Sequence, residues 1–179
     1  MKTRKPAAAL SLGLALTLIT GCGMGDSGQS DNPLPSSGVS SLDDARTETK
    51  LVSSELFGLI KVKGKADEGG ARISECGDGK DPEKYYQTFQ PSTFYPESPD
   101  QLAGVMEQLK AELPAHGWKI VEYEYDTSRN KNLNLTADHD ERRFSVNIIH
   151  LAKDEQPSLS LHVVSGCYEV PEGERVDGY

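Results

Sequence analysis

Four consecutive residues that could bind a divalent cation or transfer a proton are Asp138, His139, Asp140 and Glu141. Carboxylates and imidazole are both common ligands of divalent metal ions. Adjacent side chains in a tight turn point in different directions, however, and no regular ligand spacing accompanies the cluster. The four residues are therefore better interpreted as a solvated hairpin turn, and we predict no metal site.

Three histidines and one serine could also act as a base, a metal ligand or a nucleophile. His116 lies at the predicted end of a helix, where a cationic side chain suits the helix dipole, whereas His150 and His162 lie in predicted strands. Ser165 precedes a glycine and a cysteine, but no G-x-S-x-G or S-x-x-K motif is present. No P-loop, H-E-x-x-H or EF-hand motif occurs either. We therefore assign no catalytic residue and expect no cofactor.

An aromatic cluster near the middle of the chain has two interpretations. Aromatic residues are enriched at contact surfaces, but a β-strand also uses them to fill a core. Pro91 indicates an edge strand or a bend, because proline donates no hydrogen bond to a sheet. The core interpretation is the more common one. If the protein has a contact surface here, we expect it to include Tyr85, Tyr86, Phe94 and Tyr95.

The first 21 residues have the composition of an export signal. Lys2, Arg4 and Lys5 form a positive region, and residues 7–18 are almost entirely apolar. About a dozen apolar residues are too few for a membrane-spanning helix, which needs roughly 20. Positive charge, a short apolar run and small residues before a cleavage point describe a secretory signal.

The end of this signal, Ile19-Thr20-Gly21-Cys22, resembles the lipobox of bacterial lipoproteins. In that family the cysteine thiol receives a diacylglycerol and the chain is cut just before it. The resemblance implies that Cys22 is the lipidated first residue of the mature chain, anchored on the outer side of the cell membrane. Gly117-Trp118 and Ser165-Gly166-Cys167-Tyr168 are also similar to small actinobacterial lipoproteins, many of which have no assigned activity. That resemblance transfers no catalytic residue.

With Cys22 assigned to the lipid, Cys76 and Cys167 remain as a pair. Outside the cytoplasm such a pair is most simply read as a disulfide. Two free thiols or a redox pair are the alternatives, although a redox pair usually has C-x-x-C spacing. The disulfide requires the two Cα atoms to lie within about 7 Å of each other.

Composition limits the partners of the mature chain. The predicted signal contains three basic residues and no acidic one, which leaves 16 basic and 28 acidic residues and a net charge of −12. Such a chain is repelled by phosphate backbones, so nucleic-acid binding is not expected. We predict a signal at 1–21, a lipidated cysteine and Gly/Ser-rich tether at 22–39, one domain at 40–168 and a polar tail at 169–179.

Periodicity within 40–168 predicts an α+β fold. Apolar residues at helical spacing predict helices at 41–59 and 99–115, the second with Ser98 in a capping box and Gly117 as its C-terminal cap. Alternating apolar residues predict a mainly antiparallel sheet that is exposed on one face. The predicted order is α-β-β-α-β-β-β-β, a two-layer sandwich with both helices on one face of the sheet and Trp118 at the interface.

Two functional hypotheses remain at this stage. The first is a non-catalytic binding or envelope-interaction protein, tethered to the membrane by Cys22, with a small ligand or an envelope protein as partner. The second is a cell-envelope enzyme or enzyme inhibitor whose site matches no known motif. A deep pocket with convergent polar groups would favour a ligand site or an enzyme, and a shallow sheet face with exposed aromatics would favour a protein partner.

Overall fold

The computed structural model describes residues 36–77 and 79–177. This part of the chain contains two α-helices and nine strands, together with short 3₁₀ turns before and after the second helix. The helices are α1 (Leu42–Leu59) and α2 (Leu102–Glu112). The strands are β1 (Gly38–Val39), β2 (Gly64–Glu68), β3 (Arg72–Glu75), β4 (Tyr85–Pro96), β5 (Lys119–Tyr125), β6 (Leu133–His139), β7 (Phe144–Leu151), β8 (Ser158–Ser165) and β9 (Tyr168–Glu169).

The second half of the sheet is a run of three antiparallel hairpins. β5 pairs with β6, β6 with β7 and β7 with β8, so the predicted polar connections are the hairpin turns. Buried and half-buried residues alternate along β6, β7 and β8. This alternation occurs because successive side chains of a strand point to opposite faces. One face of the sheet is therefore buried, as the sequence predicted.

Strand β4 is central, and the prediction that Pro91 marks an edge strand or a bend is wrong. Phe89 pairs with Val164 of β8 on one side and with Arg72 of β3 on the other. The Pro91 carbonyl accepts a hydrogen bond from the Gly69 backbone N–H at 3.0 Å. Because the nitrogen and carbonyl of a strand residue face the same side, the Pro91 nitrogen faces the gap between β2 and β3. A proline fits there because no ladder bond is lost.

The two helices begin in different ways. The Ser41 side chain caps α1 by accepting a hydrogen bond from the Asp44 N–H at 3.2 Å, a standard N-cap arrangement. The predicted capping box at Ser98 is wrong, because that side chain makes no capping hydrogen bond. The Ser98 carbonyl instead accepts from the Gln101 N–H, which begins the segment as a 3₁₀ turn. Gly117 ends the segment in the left-handed conformation, as predicted.

Apolar residues from the helices and from the buried face of the sheet pack together in two clusters. The larger cluster combines residues of both helices with Trp118 and the inward residues of β6, β7 and β8. The smaller cluster lies around Ala45 and contains Ile73, Tyr86, Tyr168 and Val170. The α+β class is therefore confirmed. The sheet contains three more strands than predicted, β1, β2 and β9.

The additional strands also change the character and extent of the sheet. β1 pairs with β9 in parallel, whereas the other described pairings are antiparallel, so the sheet is mixed but mainly antiparallel, as predicted. β9 pairs with β4, and the following Val170 is buried. The sheet therefore extends beyond the predicted domain limits of residues 40 and 168. β1 and β9 have only two residues each, which is too short for an alternating pattern to be recognised in the sequence.

The Tyr86 side chain on β4 contacts the start of α1, and removal of its hydroxyl should change the stability of the fold. Its hydroxyl donates to the backbone carbonyls of Ser40 and Ser41, at 2.9 Å each, and its ring stacks on Tyr168. Burial raises the pKa of Tyr86 to about 12. A raised phenol pKa stabilises the folded state below pH 10, the ordinary value, and this contribution is lost as the pH rises towards 12.

We expect Tyr86→Phe to lower the free energy of unfolding by about 1 kcal/mol at neutral pH, the usual contribution of one hydrogen-bonded group. The variant should also lose one late-titrating phenol from the absorbance titration at 295 nm. Tyr125→Phe, at a side chain that is 66 % exposed, is the matched control. Equal stability losses in the two variants would contradict the assigned role of Tyr86.

Candidate functional site

A cavity of about 420 Å³ lies between α1 and the β2–β3 connection. Thr47, Lys50, Leu51 and Ser54 of α1 line one side, and Glu68 and Gly70 line the other. Gln90, on the inward face of β4, completes the lining. This space is a groove that is open to solvent along much of its surface.

The cavity lies where the strands alongside β4 are interrupted. β3 pairs with β4 as far as Phe89, and β2 resumes the pairing at Ser92. Gly69 bridges the gap, and a Cβ at that position would lie 2.7 Å from the Pro91 carbonyl oxygen. A residue with a side chain would therefore force the connection away from β4. The close approach of Gly69 is one reason that the gap has this shape.

Some buried side-chain oxygens in the described part of the chain have no hydrogen-bond partner. Gln90 is 1 % exposed, and its side-chain oxygen Oε1 has no partner. The buried hydroxyls of Ser53 and Ser92 also have none. A buried polar atom without a partner costs roughly 1–3 kcal/mol, so native proteins retain few of them. Gln90 is a lining residue of the cavity, but its unpaired Oε1 is buried and does not reach the open space.

A neighbouring pair of buried threonines, by contrast, has hydrogen-bond partners for its hydroxyl groups. The hydroxyls of Thr49 on α1 and Thr88 on β4 lie 2.5 Å apart, and Thr49 also donates to the Ala45 carbonyl. These polar groups therefore satisfy one another beneath the first half of α1. Gln90, two residues further along the same face of β4, has no such partner on the helix.

The charges that line the cavity are balanced. Of its described lining residues, Lys50 contributes a positive charge and Glu68 a negative one. Leu51, which is 52 % exposed, adds an apolar surface. The lining therefore places one charge of each sign beside an apolar surface.

The prediction that Asp138 to Glu141 form a solvated hairpin turn is correct only for Asp140 and Glu141, because Asp138 and His139 are the last two residues of β6. Asp138 lies opposite Lys119 and Ser145 in the sheet, whereas His139 is buried with its ring edge against Trp118. Asp140 and Glu141 are exposed. In the described part of the chain, no group of three or more His, Cys, Asp or Glu residues has a geometry that could hold a metal ion.

The remaining predicted histidines and Ser165 have separate positions. His116 is exposed at the end of the 3₁₀ turn after α2, and burial lowers the pKa of both His150 and His162. His162 lies on the open face of the sheet, with Nε2 3.1 Å from the Ser160 hydroxyl. Ser165 is buried, where its hydroxyl accepts from the Thr88 N–H and donates to the Gly166 carbonyl. The structure does not bring these side chains together into a catalytic group.

The four aromatic residues of the predicted contact surface lie on opposite faces of β4. Tyr86 and Phe94 are buried in the core, with exposed fractions of 0 % and 6 %. Tyr85 and Tyr95 are half-buried on the open face. A contact surface that includes Tyr86 and Phe94 is therefore incompatible with this fold, and the role of Tyr85 and Tyr95 stays a prediction.

Cys76 and Cys167 form a disulfide, with their Cα atoms 5.8 Å apart. Structural disulfides are typical of proteins that fold outside the cytoplasm, so the bond indicates an oxidising, extracytoplasmic location. In the part of the chain that the structure describes, no helix is long and apolar enough to cross a membrane. Cys22, the predicted lipidation site, lies outside the described residues.

Sequence reasoning did not identify the cavity, although one signal was present. Gln90 occurs in phase with the inward residues Tyr86 and Phe94, so strand alternation alone places a polar amide on the buried face. Lys50 and Glu68, by contrast, look like ordinary surface charges in the sequence. Their relation to Gln90 depends on how the β2–β3 connection runs beneath α1.

Comparison of the chain with protein-family models, with curated proteins and with solved structures found no match.

Proposed function

We propose that this protein is a lipid-anchored extracytoplasmic lipoprotein that acts by binding rather than by catalysis. The observation that carries the proposal is the sequence Ile19-Thr20-Gly21-Cys22 after a charged and apolar leader. The Cys76–Cys167 disulfide supports it, because an oxidising compartment is where an exported lipoprotein folds. Two acyl chains on Cys22 hold a domain on a membrane stably, whereas one binds only marginally.

The binding part of the proposal is supported by the cavity under α1. Its lining combines one positive charge, one negative charge and the apolar surface of Leu51. Small-ligand sites are typically concave and largely apolar with a few polar groups. A membrane-held binding protein needs such a recognition site and no reactive group.

Replacing Cys22 by alanine tests the anchor. We expect Cys22→Ala to abolish labelling by radioactive palmitate, and either to block processing or to move the protein out of the membrane fraction. Ser30→Ala, in the same segment, is the control and should retain both labelling and membrane association. Unchanged membrane retention with normal processing in Cys22→Ala would overturn the lipid anchor.

A further inference from the structure

We propose that two copies of this protein pair through the open faces of their sheets, about a two-fold axis that runs parallel to β8. The pairing goes beyond the proposed binding function, and the choice of axis rests on the proposed membrane anchor. Three observations support it. The open face has a centre without charges, one row of residues across it ends in opposite charges, and the chain enters the domain at one end of the strands.

The centre of the open face carries no charged side chain. Its outward residues are half-buried, and they alternate along β4 from Gln87 to Tyr95, along β8 from Ser160 to Val164 and along β7 from Ser145 to Leu151. Burial lowers the pKa of His162, so this residue is also uncharged at pH 7. The whole chain has 26 % charged residues, so three neighbouring strands without a charge on one face are unusual. Depletion of charge is typical of the centre of a protein interface.

One row of residues across the face ends in opposite charges at equal distances from β8. The strand registers place Arg72, Phe89, Val164, Ser145 and Asp138 side by side in that order. Arg72 and Asp138 each lie two strand positions from β8, which is about 10 Å. A two-fold axis along β8 exchanges the two sides of the sheet, so Arg72 faces Asp138 of the second copy. Stacked sheets are about 10 Å apart, a distance that these two side chains span together.

The remaining geometry of the face also permits a pair. The same axis places Asp67 opposite Asn134, an uncharged amide, so no like charges meet in that row. The face is six strand positions wide, from β2 and β3 to β5, and its central strands β7 and β8 have 8 residues each. At about 4.8 Å per strand and 3.4 Å per residue, its area is roughly 800 Å². Each partner in a standard protein interface buries about the same area.

The position of the membrane tether selects the direction of the axis. The Ser37 backbone N–H donates to the Cys167 carbonyl, and Cys167 follows the end of β8, so the chain enters the domain at that end of the strands. An axis parallel to the strands keeps both entry points at the same end, where both proposed anchors reach one membrane. An axis across the strands would place the entry points at opposite ends. The resulting pair has two-fold symmetry, the commonest symmetry of soluble oligomers.

The first test is the mass of the full mature lipoprotein in density-matched detergent, measured by sedimentation equilibrium. We expect a dimer at a protein concentration of 50 µM. Arg72→Asp places two carboxylates opposite each other and should raise the dissociation constant at least tenfold. Combining Arg72→Asp with Asp138→Arg restores opposite charges and should recover the dimer. Arg129→Asp, at an exposed position between β5 and β6, changes the net charge equally and should dimerise normally.

The second test locates the face and does not require the Asp138 variant to fold. Ser160 lies on β8 beside the proposed axis, whereas Ser54 is exposed on α1. A thiol-specific crosslinker about 8 Å long, added to membranes, should join two copies of the Ser160→Cys variant, because stacked sheets are about 10 Å apart. The Ser54→Cys variant is the matched control and should remain uncrosslinked.

Several results would overturn the pairing. These are a monomer at 500 µM, equal dissociation of the Arg72→Asp and Arg129→Asp variants, a folded double variant that stays monomeric, or crosslinking through Ser54→Cys in place of Ser160→Cys. Palmitate labelling of Cys22 reports on the anchor separately. A labelled monomer would overturn the pairing and retain the anchor, whereas an unlabelled dimer would retain the pairing and overturn the anchor.

Discussion

Replacing both Cys76 and Cys167 by serine should lower the free energy of unfolding by about 2–5 kcal/mol. The two cysteines are 91 residues apart in sequence, so the bond closes a loop that covers most of the domain. In the chain-entropy model, releasing a loop of this length costs roughly 4–5 kcal/mol, and measured losses are usually smaller. The change is large compared with the ~5–15 kcal/mol total stability of a typical domain.

Thermal unfolding of the oxidised protein and of the double variant measures this effect. The midpoint should fall by roughly 4–20 °C, given the ~2–4 °C per kcal/mol that is usual for a domain of this size. A double alanine variant controls for the burial of a serine hydroxyl at Cys167, which is 8 % exposed. Two free thiols in the unreduced, denatured protein would show that the bond does not form.

The second large effect should come from Gly117→Ala. Gly117 has φ +83°, a conformation that costs other residues roughly 1–2 kcal/mol. A Cβ there would also lie 2.8 Å from Nε2 of His139, whose ring packs against Trp118 and has little room to move. The two costs together should lower the free energy of unfolding by about 2–4 kcal/mol, the range typical of overpacking combined with backbone strain.

Gly173→Ala separates the two contributions to this loss. Gly173 has nearly the same φ, +86°, but a Cβ there would meet no atom within 4 Å. Urea unfolding of both variants should show a clearly larger loss for Gly117→Ala. If the two losses were equal, the contact with His139 would not contribute and only backbone strain would remain.

The helices and the hairpins could be predicted because their information is local. α1 and α2 follow from apolar residues at helical spacing, β5 follows from its β-forming residues, and β6–β8 follow from alternation between short polar turns. The Cys76–Cys167 bond followed from a count of cysteines rather than from geometry. The helices and hairpins could be predicted from neighbouring residues, and the disulfide could be predicted because only two cysteines remained to pair.

The neighbours of β4 could not be predicted because they depend on distant residues. Pro91 is compatible with a central strand only because β2 and β3 leave a gap opposite its nitrogen, as shown by the Gly69–Pro91 hydrogen bond. The sequence of β2, with Lys65, Asp67 and Glu68, has the composition of a solvated loop. The cavity at Gln90 lies at the same gap. Its position therefore also depends on distant residues, and it could not be predicted from the sequence.

The parallel pairing of β1 with β9 joins the first and last strands of the described chain. Ser37 and Ser40 donate backbone hydrogen bonds to Cys167 and Glu169, so the chain is held beside the disulfide before it reaches α1. The pairing and the disulfide therefore close two nested loops at the same place, one through hydrogen bonds and one through a covalent bond. Loss of β1 would leave the covalent loop closed, but it would remove the hydrogen-bond partners of β9 on one side.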